Sequence, residues 1–449
     1  MEEQKSFNKQ LMSLAIPFAL QGLLNALVGA SDALMLGRLT QESISAVSLA
    51  NEITFILSLF TGAVLGGVGT LMAQYYGKKD METVKKLLSM GLRFVFYISI
   101  IFFIAAFFMP DKLMMIFTDQ AELIRIGSEY LRIVSFSYLF MEFTQCYLVL
   151  MKMDGRVKMS VWISAMTVIV DMTVDFFLIY GFGKIPALGA NGSAYSTIVV
   201  EVIAFTWVVI ASYAKGRVHP DAKSLFSVSK VLDLDMIKIA LPMLASSLLW
   251  GLSMSAHSAF LGRLGSDATA AYAVTNVALG LIQCLSHGFA QGSGIMIGGL
   301  LGANKIEEAK EYGKKFWNVS IWCGVANMVL LSIVGPLVYI FYVLEPGAKQ
   351  FLIYMILYNL LYMFAYSFNT IFTCGVLPSG GDARYDAISV FIATWCCALP
   401  LAFIGCFVFH WPVMVVYCVM LADEIVKFPF LYPRYKKYYW CNNLTRENV

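Results

Sequence analysis

The feature that most limits this chain is a succession of long apolar runs parted by short polar turns. A segment crossing hydrocarbon must satisfy its own backbone, so it needs about 20 consecutive, mostly apolar residues in a helix. Twelve windows meet that demand, near 11–37, 44–74, 84–109, 126–151, 159–182, 189–214, 236–262, 268–300, 315–343, 350–377, 385–409 and 411–430. Composition agrees: of 449 residues, 59% are hydrophobic and 14% charged, whereas soluble chains carry about 25% charged residues. The expected class is an all-α polytopic membrane protein with twelve transmembrane helices. Several runs exceed the minimum, which predicts tilt or extension past the bilayer. The polar start, MEEQKSFNKQ, leads into a full-length run, so no cleavable leader is expected.

The net charge of +3 says little, but its placement says more. With the N-terminus inside, 25 of the 32 Lys and Arg fall on the cytoplasmic side and 7 on the other. That bias predicts that both termini are cytoplasmic, in the plasma (inner) membrane. The nine cysteines lie mostly within apolar runs and lack paired metal-type spacing. They read as small hydrophobes.

The chain repeats itself. Pro17 matches Pro242 at a shift of 225, and the same shift lays Gly37-Arg38-Leu39 on Gly262-Arg263-Leu264 and Asn51 on Asn276. It also pairs Gly67, Gly69 and Gly77 with Gly292, Gly294 and Gly302, and Lys85 with Lys310. So many matches at one shift indicate duplication. Six spans per half place both halves in the same orientation, related by a pseudo-two-fold axis along the membrane normal, as in some secondary transporters. The expected division is an N-lobe over 1–214, a cytoplasmic linker over 215–235 and a C-lobe over 236–449. Pro17 and Pro242 sit in the first helix of each half, where a proline removes a backbone hydrogen bond and favours a kink. Their equivalent placement assigns that kink to conformational change. The glycines of the second and eighth spans, such as Gly62, Gly66 and Gly288, read as close-packing positions.

Acids within the spans break the symmetry. The first half has Asp32, Glu52, Glu142, Asp171, Asp175 and Glu201. The second has Asp423 and Glu424, with Lys427 one turn on as their expected partner, and it places His257 where Asp32 repeats. Asp171 and Asp175 stand four apart, one above the other on a helix face. An acid at bilayer depth costs about 2.5–3.5 kcal/mol on the insertion scale, so two on one face need a purpose. The expected cation site combines Asp32, Asp171 and Asp175 with the hydroxyl of Ser193 or Thr197. Oxygen ligands of this kind suit Na⁺, and a cluster of interacting carboxyls also suits a proton. Glu52, Glu142, Glu201 and His257 are candidates for polar lining of a cleft, and His257 and His287 read mainly as hydrogen-bonded structural groups. No other metal site is expected, and no cofactor.

These residues resemble a known family. Pro17 … Asp32 … Gly37-Arg38-Leu39 is similar to the first helix of the MATE (multidrug and toxic compound extrusion) transporters. Met153-Asp154-Gly155-Arg156-Val157-Lys158 resembles their cytoplasmic loop after the fourth helix. Asp171 and Asp175, then Gly181, Pro186, Gly189 and Gly192, resemble their fifth-to-sixth helix signature. The resemblance implies a two-lobed, twelve-helix antiporter that exports bulky, often cationic, drugs in exchange for Na⁺ or H⁺. It further implies an N-lobe cation site on Asp32, Asp171, Asp175 and Ser193. Two departures stand out. The family usually has Asn at the position of Asp171, and one branch carries a Glu in the seventh helix where this chain has Leu248, Leu249 and Trp250.

The alternative within the same superfold is a flippase for lipid-linked glycans or lipids. A membrane prenyltransferase holding diphosphate through Mg²⁺ would need a second aspartate cluster, which the second half does not supply, so no enzyme is expected. No phosphate-binding Gly-Lys-Ser/Thr loop points to direct ATP coupling. The expected partners are small organic substrates and membrane lipid, not nucleic acid, and the chain is expected to act as a monomer.

Overall fold

The structure is a computed structural model describing residues 2–183, 186–214, 219, 229–342 and 344–447. Its regular elements are helical. The first repeat supplies α1 (Glu2–Gly37), α2 (Gln41–Gly77), α3 (Met81–Phe108), the short α4 (Pro110–Met114), α5 (Ala121–Val134), α6 (Ser137–Met153), α7 (Val157–Tyr180) and α8 (Ala190–Ser212). The second supplies α9 (Lys230–Leu264), α10 (Ser266–Gly302), α11 (Ile306–Phe341), α12 (Pro346–Ile371), α13 (Leu377–Ser379), α14 (Ala383–Val390), α15 (Leu399–Phe407), α16 (Val413–Met420) and α17 (Asp423–Lys436). Most of the 215–235 linker lies outside the described residues.

Ten helices among the described residues are long and apolar enough to span a bilayer, and α5 with α6, bent by 52°, makes an eleventh. The run expected as one helix over 126–151 is therefore two. At the bend, Ser135 and Ser137 turn their hydroxyls back onto the carbonyls of Arg132 and Val134, at 2.9 and 2.7 Å, and such bonds compete with the helical ladder. The run expected over 411–430 is likewise broken, at Leu421–Ala422 between α16 and α17. There Asp423 Oδ1 accepts the Glu424 backbone N–H at 2.9 Å, opening a new helix with a buried acid at its start.

Two π-helical turns, Phe372–Val376 and Phe391–Ala398, lie in the tenth and eleventh spans. Each contains the residue four before a proline, Cys374 before Pro378 and Cys396 before Pro400. A proline ring clashes with that carbonyl, and a widened turn relieves the clash. Pro17 and Pro242, by contrast, sit inside continuous helices.

Packing divides the chain into two units. One holds residues up to Gly22, Ala73–Lys79 and Lys238–Glu447; the other holds Leu23–Met72 and Asp80–Ile237. The second unit closes on Leu36, Leu57, Leu131, Tyr138 and Ile179, all buried. The first closes on Leu261, Leu331, Met355, Met363 and Tyr417. Large apolar side chains such as Ile101, Phe108, Trp322 and Leu361 are exposed, the pattern of helices that face lipid.

Within the first unit, α2 and α10 touch backbone to backbone. A Cβ on Gly77 would fall on the Gly299 carbonyl, and one on Gly302 would fall on the Gln74 carbonyl. Adding 225 to 74 and 77 gives 299 and 302. The same contact is thus made twice, as a two-fold relation between repeats requires.

Candidate ion-binding site

The site grows from the turn between α7 and α8. Helix α7 stops at Gly181, whose φ of 77° suits glycine. The chain then doubles back: the Leu188 and Gly189 amides donate to the carbonyls of Leu178 and Ile179, at 3.0 and 3.2 Å. Gly192 lies so close that a Cβ there would sit 2.6 Å from the Leu178 carbonyl carbon. This near-contact brings the first turns of α8 against the last turns of α7. The hydroxyls of α8 therefore face the acids of α7.

Asp171 and Asp175 are both buried, at 6% and 1% exposure, and Asp32 of α1 is half-buried beside them. One carboxylate oxygen from each of the three lies within 4.8 Å of the others. Asp32 and Asp175 meet in hydrogen-bonding contact, which two carboxyl groups can keep only with a proton between them or a cation beside them. Asp32 Oδ1, Asp171 Oδ2 and Asp175 Oδ1 have no hydrogen-bond partner. Buried acceptors left this way are costly, and an oxygen-seeking ion or protons would satisfy them. The donor set is oxygen throughout, so it fits Na⁺ as well as H⁺.

The sequence-expected hydroxyls divide. Thr197 lines the cavity beside Asp32 and Asp171. Its hydroxyl proton goes to the Ser193 carbonyl at 3.0 Å, which leaves its lone pairs for a ligand. Ser193 is buried and bonded to the Tyr130 side chain. Ser196, not among the expected ligands, is buried with its hydroxyl against the Asp175 carboxyl. Its spacing of three from Ser193 put it on a neighbouring strip of α8, a signal too common to single out.

The cavity has a volume of about 290 Å³ and is walled by α1, α2, α5, α6, α7 and α8. Its wall mixes amides, hydroxyls and apolar groups, among them Asn25, Asn51, Gln145, Met141 and Val168. Tyr130 donates its hydroxyl to Asn51 Oδ1 at 3.3 Å, so two of these groups are held in place. Glu201 is also in the wall, close enough to Asp171 to feel its charge. The other candidate lining residues fall elsewhere. Glu142 is buried beside Thr61 and Glu52 is exposed, and neither is in the cavity wall. His257 belongs to the other unit. It is not a satisfied structural histidine, because neither ring nitrogen has a partner. His287 does have one, the Tyr366 hydroxyl at 3.0 Å.

Comparison with known proteins follows the same outline. The family model described as MatE matches the chain twice, over residues 17–177 and 242–404. The two matches begin at Pro17 and Pro242, the residues that open the internal repeat. The probable multidrug resistance protein YoeA of Bacillus subtilis (strain 168) is 24% identical over 402 residues, spanning 87% of this chain and 85% of the relative. The solved structure of a MATE in the straight conformation superposes with a TM-score of 0.87 at 16% identity, covering 96% of both chains. A MATE in the bent conformation gives 0.84 at 17% identity, again covering 96% of both. The fold is therefore twelve transmembrane helices in two six-helix lobes, with α5–α6 completing one span.

Proposed function

The chain belongs to the MatE family of multi-pass membrane transporters, and from that premise we propose that it exports bulky, often cationic, organic compounds in exchange for Na⁺ or H⁺. The observation that carries this reading is the trio Asp32, Asp171 and Asp175. One carboxylate oxygen from each lies within 4.8 Å of the others, each residue keeps a buried oxygen without a partner, and their helices are long and apolar enough to span a bilayer. Acids are held at such depth when they bind and release something. The name of the Bacillus relative, a probable multidrug resistance protein, supports the substrate class.

The mechanism follows from what shares the cavity. Helix α1 contributes Asn25, Val28 and Asp32 to its wall, and Pro17 sits two turns before Asn25. A bend in α1 at Pro17 would reshape the wall, and MATE structures have been solved in a straight and in a bent conformation. Cation arrival from outside neutralises the acids, favours the bent form and expels the substrate outward. Opening to the cytoplasm releases the cation and admits the next substrate. Each elementary charge moving inward gains about 2.3 kcal/mol per 100 mV, enough to bias the cycle. The excess of Lys and Arg puts both termini in the cytoplasm, and the chain acts as a monomer in the plasma membrane.

The test is ethidium efflux from proteoliposomes with Na⁺ and pH gradients imposed separately. Wild type should respond to at least one gradient, and Asp32→Asn and Asp175→Asn should not. Gradient-driven efflux that survives all three single Asp→Asn substitutions would place the coupling elsewhere.

A further inference from the structure

A second set of ionisable groups is gathered in the unit that holds the second repeat. Lys427 of α17 is buried, with Nζ 2.6 Å from Glu424 Oε1 and 3.7 Å from Asp423 Oδ2. Both acids are buried too. Asp423 Oδ2 accepts the Thr394 hydroxyl at 2.9 Å, and Glu424 Oε2 accepts the Asn369 side-chain amide at 2.7 Å. Asp386 of α14, half-buried, accepts the Ser246 hydroxyl at 2.5 Å and stands close enough to Lys427 to feel its charge. Two buried groups at the margin remain unpaired: Asn369 Oδ1 and the His257 ring.

The chemistry of this set parallels the one on α1, α7 and α8. Each has three carboxyl groups with hydroxyl neighbours, held among apolar helices. They differ in one respect. Among the described residues no basic side chain pairs with Asp32, Asp171 or Asp175, while the second set has an ammonium against its acids. Removing paired charges in favour of apolar packing is often neutral or stabilising, so stability alone does not explain a buried lysine there. At the position repeating Asp32 stands His257, so the second repeat also lacks the acid that completes the first site.

We propose that Lys427 is a tethered cation. It neutralises its acids permanently and within the chain, as an exchangeable Na⁺ or H⁺ does for those of the first repeat. The second repeat is thereby fixed in its cation-loaded form, and the number of coupling ions per cycle is set by the first repeat alone. This rests on the proposed ion site at Asp32, Asp171 and Asp175.

The experiment counts cations bound by purified full-length protein, with ²²Na⁺ for sodium and proton release on substrate addition for H⁺. Lys427→Met should bind one cation more than wild type, and Lys427→Arg the same number as wild type. A folded Lys427→Met protein that binds no additional Na⁺ or H⁺ overturns the proposal. Should Lys427→Met not fold, the triple variant Asp32→Asn/Asp171→Asn/Asp175→Asn decides, because it keeps Lys427 and should bind none. Residual binding that vanishes on adding Asp423→Asn would show the second set open to cations and overturn the proposal. Residual binding indifferent to Asp423→Asn would instead overturn the first-repeat site, and the tether, which rests on it, with it.

Discussion

Asp32 and Asp175 come from helices separated by more than a hundred residues, yet their carboxyl groups meet in hydrogen-bonding contact while each keeps an oxygen without a partner. A pair arranged this way is stable only when loaded. Cation binding should therefore stabilise the fold, by about 2.7 kcal/mol when the ion is at a hundred times its dissociation constant. Thermal unfolding in detergent should shift upward with Na⁺ or with acidification in wild type. The shift should vanish in Asp32→Asn/Asp175→Asn.

Asp171 lines the cavity and is less deeply buried than Asp175, at 6% against 1% exposure, and the sequence resemblance implies Asn as the usual residue at its position. Asp171→Asn should therefore harm transport least of the three, lowering gradient-driven efflux by less than tenfold. Asp175→Asn, which removes the most deeply buried acid, should lower it by more than tenfold. Initial rates of ethidium efflux at matched protein density check the order.

These acids were legible from the sequence because four-residue spacing on an apolar helix is a strong signal. Asp32 became legible through the repeat that exposed its exchange for His257. What surrounds them was not. Tyr130, Asn51 and Gln145 are ordinary polar residues on three different helices, and only tertiary packing brings them to one cavity. The same holds for the broken spans. Hydropathy sees 126–151 and 411–430 as single runs, because a bend made by serine back-bonding or by a buried Asp423 hardly changes mean apolarity. The π turns before Pro378 and Pro400 left no trace in the apolar pattern either.

The reciprocal contact of Gly77 with Gly299 and of Gly302 with Gln74 leaves no room for a side chain. Gly302→Val and Gly77→Val should each destabilise the protein by about 2–4 kcal/mol through overpacking and backbone shift. Gly62→Ala, where a Cβ would meet nothing within 4 Å, should leave stability within about 0.5 kcal/mol. Thermal melting of the three variants gives the comparison, and similar losses for all would deny that this crossing is special.

Gln74 also holds the C-terminal segment. Its side-chain amide donates to the carbonyls of Ser379 and Asn442, at 2.7 and 3.1 Å, and its carbonyl accepts the Leu444 amide at 2.6 Å. Gln74→Ala strands these buried or part-buried groups and should cost about 1–3 kcal/mol. Removing residues 441–449 should cost a similar amount, and the two changes should not add, because they delete one network.

Pro17 and Pro242 are equivalent by repeat but not by surroundings, since only α1 carries an acid of the proposed site. Pro17→Ala should slow turnover several-fold while leaving cation binding intact. Pro242→Ala should change turnover less. Efflux rates set beside ²²Na⁺ or proton binding separate the two effects.

The central claim is that one cation, arriving at Asp32, Asp171 and Asp175, lowers the hold on substrate. Reciprocal linkage makes this measurable at equilibrium: fluorescence titration of ethidium into purified protein, with and without saturating Na⁺ and across pH. The account predicts that the coupling cation weakens dye binding by about 5–150-fold in wild type and leaves it unchanged in Asp32→Asn/Asp175→Asn. Equal dye affinity in wild type with and without either ion, or full linkage persisting in the double variant, would contradict it.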